Sequence, residues 1–161
     1  MKSHKIEIVL EVFNSISELP QDIQELMGKA QEARERAYAP YSRFKVGAAL
    51  AMANGTVVTG NNQENAAFPS GLCAERVAIF SAGAQFPDQP ITAMALTARS
   101  LSQELQSPTP PCGACRQAIA EYELKQKQPI AIYFMGEMGK IAKASSIKDL
   151  LPLVFDSSYL S

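Results

Sequence analysis

The spacing of apolar and polar positions changes several times along the chain, and each change marks a boundary between elements. Over residues 5–13, Ile6, Ile8, Leu10 and Val12 fall on one side and Lys5, Glu7 and Glu11 on the other, the period-two pattern of a half-buried strand. From Ile23 the spacing turns helical: Ile23, Leu26, Met27, Ala30 and Ala37 share a face, Pro20 suits the first turn and Pro40 stops the run, which predicts a helix of about four turns. Lys45–Ala53 and Thr56–Gly60 flank Asn54-Gly55. That dipeptide favours a type I′ turn, whose two central residues both need positive φ, so a hairpin is expected.

Asn61–Leu72 is polar and irregular, and Cys73–Ala82 is rich in helix formers, with Gly83 as the expected left-handed cap. Ile91–Ala98 reads as a buried strand, Ser102–Pro111 as a loop, Cys112–Lys127 as a helix with lysines near its C-terminal end, and Ile130–Met135 as another buried strand. A short strand near Lys140–Ala144 and a final helical turn at Ile147–Leu151 complete the series. Strands alternating with helices imply a layered α/β domain whose sheet is parallel in part and opens with a hairpin. No internal repeat is present.

A length of 161 residues fits one compact domain, read here as residues 18–161 preceded by an extension, 1–17, that carries the first strand. Fifteen Lys and Arg against sixteen Asp and Glu give a net charge of −1. That balance argues against a surface made to hold nucleic acid or acidic lipid and favours small neutral partners. Three cysteines leave an odd thiol and are too sparse for a disulfide framework, which points to a reducing compartment, the cytoplasm. Glu7 and Glu11 interrupt the only apolar run near the N-terminus. Neither a signal-peptide core nor a membrane span is expected.

The cysteines, Cys73, Cys112 and Cys115, each fall at or near the start of a predicted helix. There the unpaired N–H groups and the helix dipole favour thiolate, the form that binds metal. Cys112 and Cys115, three apart, share a helical face. Three ligands suit a catalytic zinc with one position open to water, whereas a structural site closes with four. A redox pair in Cys112-Gly113-Ala114-Cys115 and simple packing of small thiols are the alternatives. The single histidine, His4, is the one imidazole available to close the site, from a terminal segment expected to fray.

Glu75 stands two residues after Cys73, about 200° around a helix, so the two share no lateral face. Side chains lean toward a helix N-terminus, however, so a metal off that end can be bound by Cys73 while Glu75 reaches the water on it. Arg76, three after Cys73, is placed to donate to the thiolate. Three thiolates and Zn²⁺ sum to −1, and Arg76 offsets that excess.

Cys73-Ala74-Glu75-Arg76 followed by Pro111-Cys112-Gly113-Ala114-Cys115-Arg116-Gln117 resembles the small homotetrameric zinc-dependent cytidine deaminases. The resemblance runs from about Ile23 to Phe155 and includes Tyr38 to Ala49 and Asn62-Gln63-Glu64-Asn65-Ala66. It implies a single three-layer α/β/α domain with a mixed central sheet, and hydrolytic deamination of cytidine and 2′-deoxycytidine in pyrimidine salvage. It further implies one zinc per subunit on Cys73, Cys112 and Cys115, and proton transfer by Glu75. Asn62 and Glu64 match a pair that holds the ribose 3′-hydroxyl, and two residues apart in an extended segment they point the same way. Phe44 and Ala74 match positions that contact substrate, with Phe44 packing on the pyrimidine ring. Phe155 matches a C-terminal phenylalanine that reaches the active site of a neighbouring subunit in a homotetramer. Phe68 stands where relatives often carry Tyr. For the extension, edge pairing and contact between subunits are both open.

Overall fold

In the computed structural model, which describes residues 1–160, the chain runs through β1 (Glu11–Phe13), α1 (Gln21–Glu35), β2 (Phe44–Met52) and β3 (Val57–Asn61). It continues through α2 (Ala74–Gln85), β4 (Ile91–Ser100), α3 (Gly113–Gln126), β5 (Ala131–Met135) and β6 (Ile141–Ala144). The strands form one sheet in the order β1-β6-β5-β4-β2-β3. Every neighbouring pair is antiparallel except β4 and β5. That parallel pair is joined by α3, the long crossover such a pair requires.

Strand side chains alternate between faces, and the two hydrophobic clusters divide accordingly. Ala49, Ala93, Ala95, Tyr133 and Met135 pack with Ile23, Leu26, Met27 and Ala30 of α1. Ala48, Leu50, Met94, Leu96, Ile132 and Phe134 pack with Ala78, Ile79 and Ala82 of α2 and with Ile119 and Ala120 of α3. The result is the expected three-layer α/β/α arrangement with a mixed sheet. Gly47 lets α1 lie close on β2, because a Cβ there would stand 2.0 Å from the Ala30 carbonyl oxygen and 2.5 Å from the Arg34 nitrogen.

Four local expectations are corrected. Only Glu11–Phe13 of the alternating segment 5–13 is a strand, because β6, its neighbour, ends at Ala144. The Asn54-Gly55 turn is not type I′, since Gly55 is at φ 84 but Asn54 is not among the residues with positive φ. Met52 and Thr56 close a three-residue loop in which Gly55 N–H donates to the Met52 carbonyl at 2.9 Å, the other common hairpin solution. Gly83 does not end α2, which continues to Gln85. A Cβ at Gly83 would meet Tyr122 Oη at 2.3 Å, so this glycine makes room for α3. The helical turn expected at Ile147–Leu151 is a single 3-10 turn, Ile147–Asp149. It is held by Glu123 of α3, which accepts from the main-chain N–H groups of Ile130 and Ile147 and from the Ser146 hydroxyl. Among the described residues no helix is long and apolar enough to cross a membrane.

Candidate active site

The N-termini of α2 and α3 converge beside the sheet, and the sequence puts a cysteine at each. Cys73 is the N-cap of α2, Cys112 the N-cap of α3, and Cys115 lies in the first turn of α3. Neither cap residue makes a side-chain capping bond, so both sulfurs remain free to face each other. Sγ of Cys73 lies 3.9 Å from Sγ of Cys112, and Cys112 Sγ lies 3.4 Å from that of Cys115. All three sulfurs fall within 4.8 Å of one another. Tetrahedral zinc with Zn–S bonds of about 2.3 Å separates its sulfurs by about 3.8 Å, so the cluster has the dimensions and the donor chemistry of a three-thiolate zinc site.

Protonation favours the same reading. A hydrogen bond from Cys115, aided by Arg76 and Cys112, brings the Cys73 thiol down to about 5 against the cost of burial. Cys115 is pushed up, first by its hydrogen bond to Cys73 and then by burial and the charges of Glu75 and Cys73. Without a cation one thiolate is stabilised at the expense of its neighbour, and a divalent ion is the natural means of ionising all three. Arg76 Nη2 lies 3.8 Å from Cys73 Sγ, as its spacing suggested.

Glu75, the second residue of α2, is only 5% exposed. It lines a cavity of about 460 Å³ together with Cys73, Cys112, Phe44, Asn62 and Glu64. Burial is the largest influence on its carboxyl group and holds it above the ordinary carboxylate range, with the Cys73 charge adding to the effect. A buried carboxyl beside a sulfur cluster, within a cleft, is suited to taking up and returning a proton.

The cavity rim is set by β2, β3 and the loop after β3. Asn62 is committed to the backbone of β2: its Oδ1 accepts from Val46 N–H at 2.7 Å and its Nδ2 donates to the Phe44 carbonyl at 2.9 Å. Glu64 Oε2 accepts from the main-chain N–H groups of Tyr41 at 2.8 Å and Ser42 at 3.2 Å. Against a desolvation penalty, those bonds and one from the Ser42 side chain hold the Glu64 carboxyl below its ordinary value. An adjoining cavity of about 540 Å³ shares Asn62, Glu64 and Cys73 and is walled by Tyr41 and Phe68, whose rings meet edge to face at 6.1 Å.

Three further sequence candidates lie elsewhere. The Ala74 side chain is fully buried in the core, so only its main chain is available to a ligand. Phe155 is 59% exposed and stacks on Tyr159 at 5.6 Å, with its carbonyl accepting from Gln117 Nε2 at 2.8 Å. It lines neither cavity. His4 is exposed in the N-terminal segment and is not in the sulfur cluster. Sequence reasoning missed Ser42, Thr109 and Pro110, which line the cavity. Their one signal was adjacency, Ser42 to Phe44 and Thr109-Pro110 to Pro111-Cys112.

Comparison with known proteins agrees with this geometry. Residues 20–129 match the model of the cytidine and deoxycytidylate deaminase zinc-binding region. The chain is 40% identical over 134 residues to a cytidine deaminase of Halalkalibacterium halodurans, covering 83% of this chain and 94% of that one. It is 39% identical over 140 residues to a cytidine deaminase of Sporosarcina psychrophila, covering 87% and 96% respectively. The crystal structure of cytidine deaminase from Burkholderia pseudomallei superposes with a TM-score of 0.72 at 39% identity, covering 85% of this chain and all of that one. Since the matched region spans well over half of the chain and contains every cysteine of the convergent cluster, this protein belongs to the cytidine and deoxycytidylate deaminase family.

Proposed function

We propose that this protein deaminates cytidine hydrolytically to uridine with release of ammonia, as pyrimidine salvage requires, and that it accepts 2′-deoxycytidine as well. The observation that carries the reading is the buried Glu75 carboxyl, which shares one cavity with the converging sulfurs and with Glu64 on the rim. Cys73, Cys112 and Cys115 would hold one zinc ion per chain. Bound there, zinc supplies the Lewis acidity that makes water acidic enough to yield a nucleophile near neutral pH.

Glu75 takes a proton from the water that attacks C4 of the base. It delivers that proton to N3 as ring aromaticity is lost, then carries the proton of the new C4 hydroxyl to the amino group, which leaves as ammonia. The C4–N bond breaks as the C4–O bond becomes the carbonyl of uridine. Because the charge on Glu75 and N3 changes only as the ring is attacked, the carboxyl stabilises the transition state more than bound substrate. Phe44 packs against the pyrimidine, and the main chain of Ala74 borders it. Glu64 retains acceptor capacity for the sugar 3′-hydroxyl, while Asn62 holds Phe44 in place and keeps a second N–H for the sugar. Arg76 neutralises the excess charge at Cys73. Phe155, exposed on its own subunit, reaches the cavity of a neighbouring one in a homotetramer.

Mixing cytidine with the zinc-loaded protein should lower the near-ultraviolet absorbance as substrate is consumed. Glu75→Gln should keep its zinc by elemental analysis yet lose about 10²–10⁴-fold in kcat, at least about 3 kcal/mol of transition-state stabilisation. Unchanged turnover in that variant removes Glu75 from the reaction.

A further inference from the structure

Only Glu11–Phe13 of the alternating segment 5–13 enters the sheet. β1 is an edge strand, and its single neighbour β6 pairs with it from Phe13↔Ile141 to Glu11↔Lys143 and ends at Ala144. Residues 5–9 therefore run past the end of β6. Among the described residues, 1–10 belong to no helix or strand, and no main-chain hydrogen bond outside those elements involves them. Ile6, Ile8 and Leu10 are 44%, 51% and 39% exposed and continue the row begun by Val12, itself 58% exposed. An apolar strand with open edges is a template for further pairing. The segment lies outside the residues matched by the family model.

What pairs with it is specified by its own order of residues. Laid antiparallel on a second copy with Ile8 opposite Ile8, the segment sets Ile6 against Leu10 and Lys5 against Glu11, apolar on apolar and cation on anion. Moving the centre by one residue to Glu7 sets Glu7 against Glu7, and moving it to Val9 sets Glu7 against Glu11, both like-charge pairs. Registers centred between residues place the apolar row opposite the charged one. The Ile8-centred register leaves Glu7 opposite Val9, but it alone sets Ile6, Ile8 and Leu10 each on an apolar residue while opposing no like charges, and it is two-fold symmetric, as a contact between identical chains requires.

We propose that residues 5–11 form an antiparallel pair with the same segment of a second copy, centred on Ile8, joining two six-stranded sheets at their β1 edges. Glu11, which already accepts from Lys143 Nζ at 2.7 Å, then lies between two lysines, its own Lys143 and Lys5 of the second copy.

The test uses the full zinc-loaded chain. With oxidised glutathione, Ile8→Cys gives a covalent dimer on non-reducing denaturing gels, because residues directly opposite in an antiparallel pair stand about 4.5–5.5 Å apart at Cα, within disulfide reach. Ile6→Cys gives none alone but crosslinks when mixed with Leu10→Cys, and the unsubstituted chain controls for Cys73, Cys112 and Cys115. Ile8→Lys, which sets two cations face to face, abolishes the crosslink between Ile6→Cys and Leu10→Cys when carried on both chains, while zinc content stays at one per chain. Absence of the covalent dimer in Ile8→Cys, equal crosslinking at positions 6 and 8, or survival of the 6–10 crosslink when both chains also carry Ile8→Lys overturns the proposal.

Discussion

Replacing Asn62 by Ala removes a side chain that stands in for a missing strand. β3 pairs with β2 from Ala51↔Val57 to Gly47↔Asn61 and then ends. Phe44–Val46 therefore lack a β3 partner, and the Asn62 amide serves both Val46 N–H and the Phe44 carbonyl at 2.7 and 2.9 Å. Each such bond is worth about 0.5–1.5 kcal/mol net, and water from the adjoining cavity replaces part of that, which gives about 2 kcal/mol for the pair. At a urea dependence of about 2 kcal/mol per molar, the unfolding midpoint should fall by about 1 M. Circular dichroism at fixed protein concentration and saturating zinc measures it. Because Phe44 is displaced as well, kcat/KM should fall for cytidine and also, in part, for 2′,3′-dideoxycytidine, which has no 3′-hydroxyl. An unchanged urea midpoint, or a loss confined to cytidine, would show that Asn62 acts by touching the sugar and not by holding β2.

Three other outcomes are expected. Cys112→Ala should lose zinc and turnover together, and a full complement of zinc in that variant would disprove the ligand set. Gly47→Ala should cost at least about 3 kcal/mol or fail to fold, because the added methyl group meets main-chain atoms of α1 that cannot swing aside; a melting temperature within about 2 °C of the parent contradicts the packing. Glu64 is held below its ordinary value, so its carboxylate should support cytidine binding down through the usual carboxylate range and stop only as pH falls through that lowered value. A KM that already rises at pH 5 in the parent, or that follows the same acid limb in Glu64→Gln, argues against it.

The periodicities of the chain settled the order of elements and the layered fold, since burial of one helix face or one strand face is written locally in residue spacing. Residue type and helix position likewise pointed to Cys73, Cys112, Cys115, Glu75 and Arg76 as one group before their distances were known, because a helix N-terminus is a local feature that favours thiolates. Tertiary structure alone decided what depends on distant neighbours. Asn62 looked like a group turned toward a ligand, yet both ends of its amide are engaged by β2, a consequence of β3 ending at Asn61. Gly83 looked like a helix end, but Tyr122 on α3 determines why it is glycine. The N-terminal alternation promised a longer strand than β6 is able to pair. A period records which way a side chain faces; only the assembled sheet determines where a neighbouring strand stops, and so which backbone groups and edges are left to be satisfied by something else.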